Sequence, residues 1–305
     1  MVASRLVRFV VTAAAVCLAG GLSVARAASE NGTGAPAPAE PQPPRREVKW
    51  NIPDGPPIRD VEHGVLQSKS MEREVGYNVY LPPGYKEGTK RYPVIYFLHG
   101  AGGTENSDAG GFSSLVRTEI EAKRIPPVIC VFPNGGMSGY VDRPEQKVMG
   151  ETLIIKELIP LIDSKYRTIA SREGRVICGF SMGGGGAMRL AIKYPDLFSA
   201  AASWAGALGS RSGAPAAAGM KESVEKIAGK VRLLMIVGDQ DQTFAAHAPF
   251  RQVLDEAKVP YTYRVLEGVG HNLGILYEKT GSEFVRFLAA GFGEPAATAS
   301  ASPAP

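Results

Sequence analysis

The sequence predicts an α/β fold: a mainly parallel central sheet of about eight strands, with helices on both faces. Three observations carry this. Strand-type and helix-type stretches alternate between residues 58 and 293, the pattern of a sheet wound with helices. Two runs, Pro93-Val-Ile-Tyr-Phe-Leu98 and Pro127-Val-Ile-Cys-Val-Phe132, are apolar throughout, as expected of strands covered on both faces. A third, Val176-Ile-Cys178, turns through glycines into Ala187-Met-Arg-Leu-Ala-Ile-Lys193, a stretch of helical composition.

The elements follow in order. Val61 to Ser68 and Glu74 to Leu81 read as a strand pair, the second placing Val75, Tyr77, Val79 and Leu81 on one face with period two. Pro82-Pro-Gly84 ends it. The strand ending at Leu98 opens into His99-Gly-Ala-Gly-Gly-Thr104, and the one ending at Phe132 into Pro133-Asn-Gly-Gly136. A helix is expected over Thr152 to Tyr166, where Leu153, Ile154, Leu158, Leu161 and Ile162 form a stripe and Pro160 should introduce a kink. After the glycine turn come strands at Phe198 to Trp204 and Val231 to Val237, then a helix through Phe250 to Asp255. A strand at Tyr261 to Leu266 and a helix near Ser282 to Ala290 close the domain. In such sheets ligands sit at the carboxyl ends of the strands.

The ends of the chain read differently. Arg5 and Arg8 precede an uncharged run from Phe9 to Val24, and Ala25-Arg-Ala27 has the small-x-small form of a cleavage site, so residues 1–27 are expected to be a signal peptide of an exported, periplasmic or extracellular protein. The run is too short and too rich in Ala and Gly for a membrane anchor. Residues 28–57 and 294–305 are rich in Ala and Pro and are expected to be a disordered linker and a disordered tail. About 235 residues between them suffice for one domain. The chain has 34 basic and 30 acidic side chains; without Arg5, Arg8 and Arg26, 31 basic remain. Near-neutral charge offers no electrostatic case for nucleic acid or an anionic membrane.

The chemistry concentrates at Gly179-Phe-Ser181-Met-Gly183. A serine at a sharp strand-to-helix turn with glycines two residues either side is the nucleophile elbow of serine hydrolases. Its helix N-terminus points free N–H groups at an anion forming beside Ser181. A serine hydroxyl needs a base within hydrogen-bond reach. Of His63, His99, His247 and His271, His271, in a loop between the last strand and the closing helix, best fits that base, with His247 the runner-up. His247 reads as a solvated residue at a helix start and His99 as a packing residue of its turn. The imidazole in turn needs a carboxylate to fix its tautomer, and Gly238-Asp-Gln-Asp241 offers Asp239 and Asp241.

Val79-Tyr-Leu-Pro-Pro-Gly-Tyr85, Tyr92-Pro-Val-Ile-Tyr-Phe-Leu-His-Gly100, Glu157-Leu-Ile-Pro160, Tyr166-Arg-Thr168 and Gly179-Phe-Ser-Met-Gly-Gly184 together resemble the esterase D branch of the α/β hydrolases. That branch includes feruloyl and acetyl-xylan esterases, S-formylglutathione hydrolases and mycolyltransferases. The resemblance covers roughly residues 60–290. Its pattern of Gly, two residues, then Asp favours Asp241, leaving Asp239 a turn residue. The triad is then Ser181, Asp241, His271, in the chain order of that superfamily. The oxyanion hole it implies uses the Met182 N–H and a second from the turn after Gly100, assigned to Ala101.

The resemblance implies an exported serine carboxylesterase acting on short-chain or aromatic acyl esters, including esters of carbohydrates, with no cofactor. The alternatives are acyl transfer to a sugar hydroxyl, as in mycolyltransferases, and a catalytically silent surface or carbohydrate-binding module. Substrate contacts are expected from Tyr140 and Asp142 in the loop after Phe132, and from Trp204, which is equally consistent with a core residue. The short Ala205 to Lys230 segment suggests a small cap and an open cleft. Cys130 and Cys178 are expected to be free thiols, because the strand ending at His99 lies between their strands and sets them roughly 10 Å apart. No spacing suggests a metal site.

Overall fold

The apolar runs become adjacent strands of one eight-stranded sheet. The structure, a computed structural model, describes residues 48–209 and 221–293. In chain order the strands are β1 (Val61–Ser68), β2 (Arg73–Tyr80), β3 (Val94–Leu98), β4 (Ile129–Pro133), β5 (Arg175–Phe180), β6 (Ala200–Trp204), β7 (Arg232–Gly238) and β8 (Thr262–Leu266). They lie in the order β1-β2-β4-β3-β5-β6-β7-β8. β1 pairs antiparallel with β2, and β2 with β4; every other pairing is parallel. The predicted α/β-hydrolase sheet is therefore the one observed.

Each central strand feeds two cores, because successive side chains point to opposite faces. Val94, Tyr96 and Leu98 join one core and Ile95 and Phe97 the other. The helices are α1 (Ala109–Glu121), α2, a composite rod over residues 150–165, α3 (Met182–Lys193), α4 (Lys221–Glu225), α5 (Phe244–Glu256) and α6 (Leu273–Ala289). The first core is closed by α2, α3 and α5, and the second by α1 and α6. Cys130 on β4 and Cys178 on β5 are buried, free thiols, with β3 lying between the two strands.

Some boundaries differ from expectation, each for a local reason. Pro160 has no N–H, and the turn preceding it widens: Leu153–Leu158 is π-helical, with the Ile159 N–H donating to Ile154 O. A one-residue register slip upstream of the proline takes the place of a simple kink. α6 starts nine residues before the predicted position, because the Asn272 side chain accepts the Ile275 N–H and caps it there. α1 was not anticipated; its first turns contain Gly110, Gly111 and two serines, weak helix formers that packing overrides.

The expected linker does not extend to residue 57. Residues 48–52 are bound to the fold: the Gly76 N–H donates to Trp50 O at 2.7 Å, and the Ile52 N–H donates to a Glu105 carboxylate oxygen at 2.6 Å. Composition alone marks Pro- and Ala-rich sequence, and hides two apolar residues, Val48 and Trp50, that pack onto the site of a missing side chain at Gly136. The predicted signal peptide, the linker through residue 47, residues 210–220 of the cap segment and the tail from 294 lie outside the described residues. Among the described residues no helix is long and apolar enough to cross a membrane.

Candidate active site

The site is built at the carboxyl ends of β3, β5, β7 and β8. At the end of β5 the chain turns so tightly that a Cβ at Gly179 or Gly183 would overlap the Leu98 carbonyl oxygen of the neighbouring strand; only glycine fits either place. Ser181 between them has φ 54° and ψ −117°, an unfavourable backbone state for a residue with a side chain. Its surroundings hold it there. The Ser181 N–H donates to Trp204 O at 2.9 Å, and its carbonyl accepts the Gly185 N–H at 3.0 Å and the Ala207 N–H at 2.9 Å.

The remaining polar groups arrive on two loops that are laced together. Gly238 ends β7 where any side chain would strike the Val269 carbonyl, so the loops after β7 and β8 run in contact. The Asp239 N–H donates to Leu266 O and the Gln240 N–H to Val269 O, each at 3.1 Å. Asp241 and His271 are thereby brought together: Asp241 Oδ2 accepts the His271 Nδ1–H at 2.8 Å, and His271 Nε2 lies 2.9 Å from Ser181 Oγ. Asp241 Oδ1 accepts both the N–H and the hydroxyl of Thr243 at 2.7 Å. With its carboxylate facing only donors, Asp241 holds the proton on Nδ1 and leaves Nε2 an acceptor for the serine hydroxyl. The Asp241 side chain has no exposed surface, whereas 23% of the His271 side chain is exposed. Phe180 lies against the His271 ring, with centroids 4.6 Å apart.

Asp239 does not join this line; its carboxylate accepts the Gly268 N–H at 2.8 Å and steadies the loop behind His271. The turn after β3 runs beside the serine: a side chain at Gly100 would come within 3.4 Å of Ser181 Cβ. The Ala101 and Met182 N–H groups have no acceptor among the described residues. No cluster of three or more metal-ligating side chains occurs among the described residues.

Of the three candidate substrate contacts, Tyr140 and Asp142 are scaffold instead, and Trp204 takes the core alternative. Trp204 is wholly buried; its ring stacks on Phe284 at 3.6 Å and its indole N–H donates to the Thr280 hydroxyl at 2.9 Å. Tyr140 is also wholly buried, with its hydroxyl donating to His99 O at 3.2 Å. Asp142 caps α2, its carboxylate accepting the Glu151 and Thr152 N–H groups at 2.9 Å and the Thr152 hydroxyl at 2.6 Å. Tyr140 and Asp142 lie on the loop after β4 and Trp204 ends β6, all at the carboxyl edge of the sheet, with their side chains turned inward.

His247 also departs from expectation. It lies in the first turn of α5 but is fully buried, its Nε2–H donating to Gly206 O at 3.1 Å. Desolvation lowers its pKa to about 4. His99 is a strut: Nδ1–H donates to Gly100 O at 2.7 Å and Nε2 accepts the Gly135 N–H at 2.8 Å. Burial likewise lowers its pKa to about 4. Sequence reasoning missed Thr243, whose position two residues after an Asp is a readable turn signal, and Glu105, which carries none.

With the geometry in hand, comparison with known proteins gives the class. The family model described as "Putative esterase" matches residues 68–290. The chain belongs to this esterase family. An esterase of Mycobacterium tuberculosis is 38% identical over 145 residues, 46% of this chain and 31% of that protein. An endo-1,4-beta-xylanase/feruloyl esterase of Xylanibacter ruminicola is 33% identical over 154 residues, 46% of this chain and 21% of its own. The esterase thus spans a third or less of these curated relatives. Among solved structures, a ferulic acid esterase superposes with TM-score 0.68 at 27% identity, over 76% of this chain and 98% of its own. An S-formylglutathione hydrolase from Agrobacterium tumefaciens reaches 0.64 at 20% identity, over 76% and 95%, which speaks to the α/β-hydrolase fold alone. Family model and relatives agree on an esterase.

Proposed function

We propose that the esterase hydrolyses short-chain or aromatic acyl esters, among them acyl groups carried on carbohydrates, through an acyl-Ser181 intermediate. The observation that carries this is the continuous hydrogen-bonded line from Asp241 through His271 to Ser181 Oγ, beside two unengaged backbone N–H groups. In this reading His271 Nε2 takes the hydroxyl proton as Ser181 Oγ attacks the ester carbonyl carbon. The oxyanion that forms is held by the Met182 and Ala101 N–H groups, backbone donors that the fold carries beside Ser181. Collapse breaks the bond to the alcohol oxygen, which leaves with the proton from His271. Water, deprotonated by the same nitrogen, then releases the acid and restores Ser181. Buried Asp241 stabilises the imidazolium in both halves.

Support for an aromatic acyl group comes from the feruloyl esterase among the relatives and the ferulic acid esterase among the structures. The cleft side next to the oxyanion turn offers Met137, 53% exposed, a pliable apolar wall for a ring. Export follows the leader-like residues 1–27, and N-terminal sequencing of the protein recovered outside the cytoplasm, beginning at about residue 28, tests it. The activity is tested with p-nitrophenyl acyl esters, methyl ferulate and acetylated xylan, comparing wild type with Ser181→Ala. Turnover of at least one ester, lost by ~10⁴-fold or more in the variant, is expected. Wild-type inertness toward the whole panel, or activity surviving in Ser181→Ala, would reject the reading.

A further inference from the structure

The two proposed oxyanion donors are held in different ways. The Met182 N–H is fixed by the elbow and the first turn of α3. The Ala101 N–H sits on a turn whose Ala101 and Gly102 are exposed; its internal bonds, Gly103 N–H to Gly100 O at 3.1 Å and His99 Nδ1–H to Gly100 O at 2.7 Å, both end on Gly100 and do not engage Ala101. Something outside the turn must set its position.

Glu105, at the end of that turn, is fully buried. One carboxylate oxygen accepts the Ile52 N–H and the other the Asn134 side-chain amide, both at 2.6 Å; its backbone carbonyl accepts the Asn78 amide at 3.0 Å. A buried carboxylate is costly unless its oxygens are bonded, and here the bonds join three separate segments: the β3 turn, the loop after β4 and residues 48–52. The Asn134 amide also donates to Lys49 O at 3.0 Å, and the Asn106 amide to Ile52 O at 2.9 Å. The strap's side chains finish the clamp. Trp50 and Val48 occupy the space over Gly136, where an added Cβ would meet them at 2.7 and 2.9 Å. Next to Gly136, Met137 reaches back, its Sδ accepting the Gly102 N–H at 3.0 Å.

We propose that Glu105, with the 48–52 strap it grips, is a positioning element that sets the Ala101 donor against Ser181, so that the working catalytic unit begins near residue 48. The family match begins at 68, and nothing in the matched region supplies the strap. This rests on the oxyanion reading above and goes beyond it in naming what holds the donor.

The test starts from a wild type that turns over p-nitrophenyl acetate and a Ser181→Ala that does not; failure there would reject the triad reading and not this one. Glu105→Gln presents a donor to one of the two donors the carboxylate now accepts, breaking one link. The expected result is a fall in kcat of ~10- to 100-fold with KM within about two-fold. Affinity for a trifluoromethyl ketone, whose serine adduct places an oxyanion in the hole, should weaken in parallel. The control is Glu157→Gln, a second carboxylate with two donors, Ser68 hydroxyl at 2.7 Å and Ser70 N–H at 2.8 Å, that ties α2 to the β1–β2 hairpin; its kcat should stay within about two-fold even as its Tm drops. Unchanged kcat in Glu105→Gln, or a kcat loss without loss of ketone affinity, overturns the proposal. If Glu105→Gln does not fold, chains beginning at residues 47 and 54 are compared in the same assays. A folded shorter chain with the same selective kcat loss supports the positioning role. Equal kcat, or a shorter chain that also fails to fold, overturns it, since the strap would then serve the fold and not the donor.

Discussion

The β5–α3 elbow and the loop over residues 134–149 are neighbours, close enough that a side chain at Gly186 would press on the Tyr140 ring at 2.7 Å. Both are glycine-rich turns at the carboxyl edge of the sheet, and they use their polar groups in opposite directions. The elbow buries its glycines against Leu98 and pushes one polar side chain, Ser181, outward on a strained backbone. The loop turns its polar side chains inward: Tyr140 to His99 O, Asp142 to the start of α2, Asn134 to Glu105 and Lys49. One region spends its backbone geometry on presenting an atom and the other spends its side chains on holding a shape. A polar residue on a carboxyl-end loop is thus as apt to build the wall as to line it.

The strongest way to break this contrast is through the two aspartates. Asp241→Asn keeps the shape but puts an amide where a carboxylate faced three donors. His271 then loses the partner that sets its tautomer, and kcat should drop by ~10⁴-fold with the melting point little changed. Asp239→Asn, which touches only the Gly268 N–H, should stay within about ten-fold. Steady-state rates on one p-nitrophenyl ester separate them; equal losses would mean that the loop, not the triad carboxylate, is what matters.

That pair also shows what the sequence could and could not convey. Ser181, Asp241 and His271 could be read as a candidate set, and the fold brings the three side chains into one hydrogen-bonded line, because the chemistry sought demands one of each, in a fixed order, on loops at one edge of the sheet. Gly179 and Gly183 were legible because a Cβ there is sterically impossible. Trp204, Tyr140 and Asp142 were not, because a strand-end or loop residue can face either way and only packing decides: Phe284 and Thr280 were needed to claim Trp204, and the start of α2 to claim Asp142. Glu105 left no trace because both its side-chain partners, Ile52 and Asn134, lie far off in sequence, one of them in a stretch whose composition reads as linker.

Trp204→Ala is the next largest test. If the indole is core, its removal costs about 3–5 kcal/mol of stability and leaves KM for aromatic esters within about two-fold. Chemical denaturation and steady-state kinetics give both numbers. A KM rise of ten-fold or more on methyl ferulate, without loss of stability, would return Trp204 to the cleft wall.

The buried histidines of the scaffold give a pH test of stability. His99 and His247 have folded pKa values of about 4, lowered by burial from 6.5. Between those values the unfolded chain binds more protons than the folded one, so stability rises with pH across that window and is lost as pH falls from about 6.5 to 4. Each group contributes at most about 3 kcal/mol. Asp108 works against this: burial raises its carboxyl pKa from 3.8 to about 6, so the folded state holds a proton the unfolded state has released, and stability from this group grows as pH falls from about 6 to 4. Between about pH 5 and 6 these three groups together should give a net slope of about one proton, and below that the lowered pKa values of Glu119, Glu151 and Glu173 steepen it. His247→Gln, with an amide able to donate to Gly206 O, should flatten that slope, and Asp108→Asn should steepen it; urea midpoints between pH 4 and 7 measure both.

The smallest effect is the sharpest for the loop itself. Tyr140→Phe removes one hydroxyl that, among the described residues, bonds the carbonyl of His99, in a buried position. As scaffold, the ring still fills its place over Gly186, and the loss is confined to one buried hydrogen bond and an unsatisfied carbonyl, about 0.5–1.5 kcal/mol. That carbonyl belongs to the first residue of the proposed oxyanion turn, so any catalytic consequence should appear in kcat and be small, about two- to five-fold, with KM for every ester unmoved. A substrate-contacting hydroxyl would behave in the reverse manner, changing KM for hydroxylated aromatic acyl groups and leaving p-nitrophenyl acetate untouched. A ferulate-selective rise in KM would therefore place Tyr140 at the cleft surface during turnover and require the loop to open.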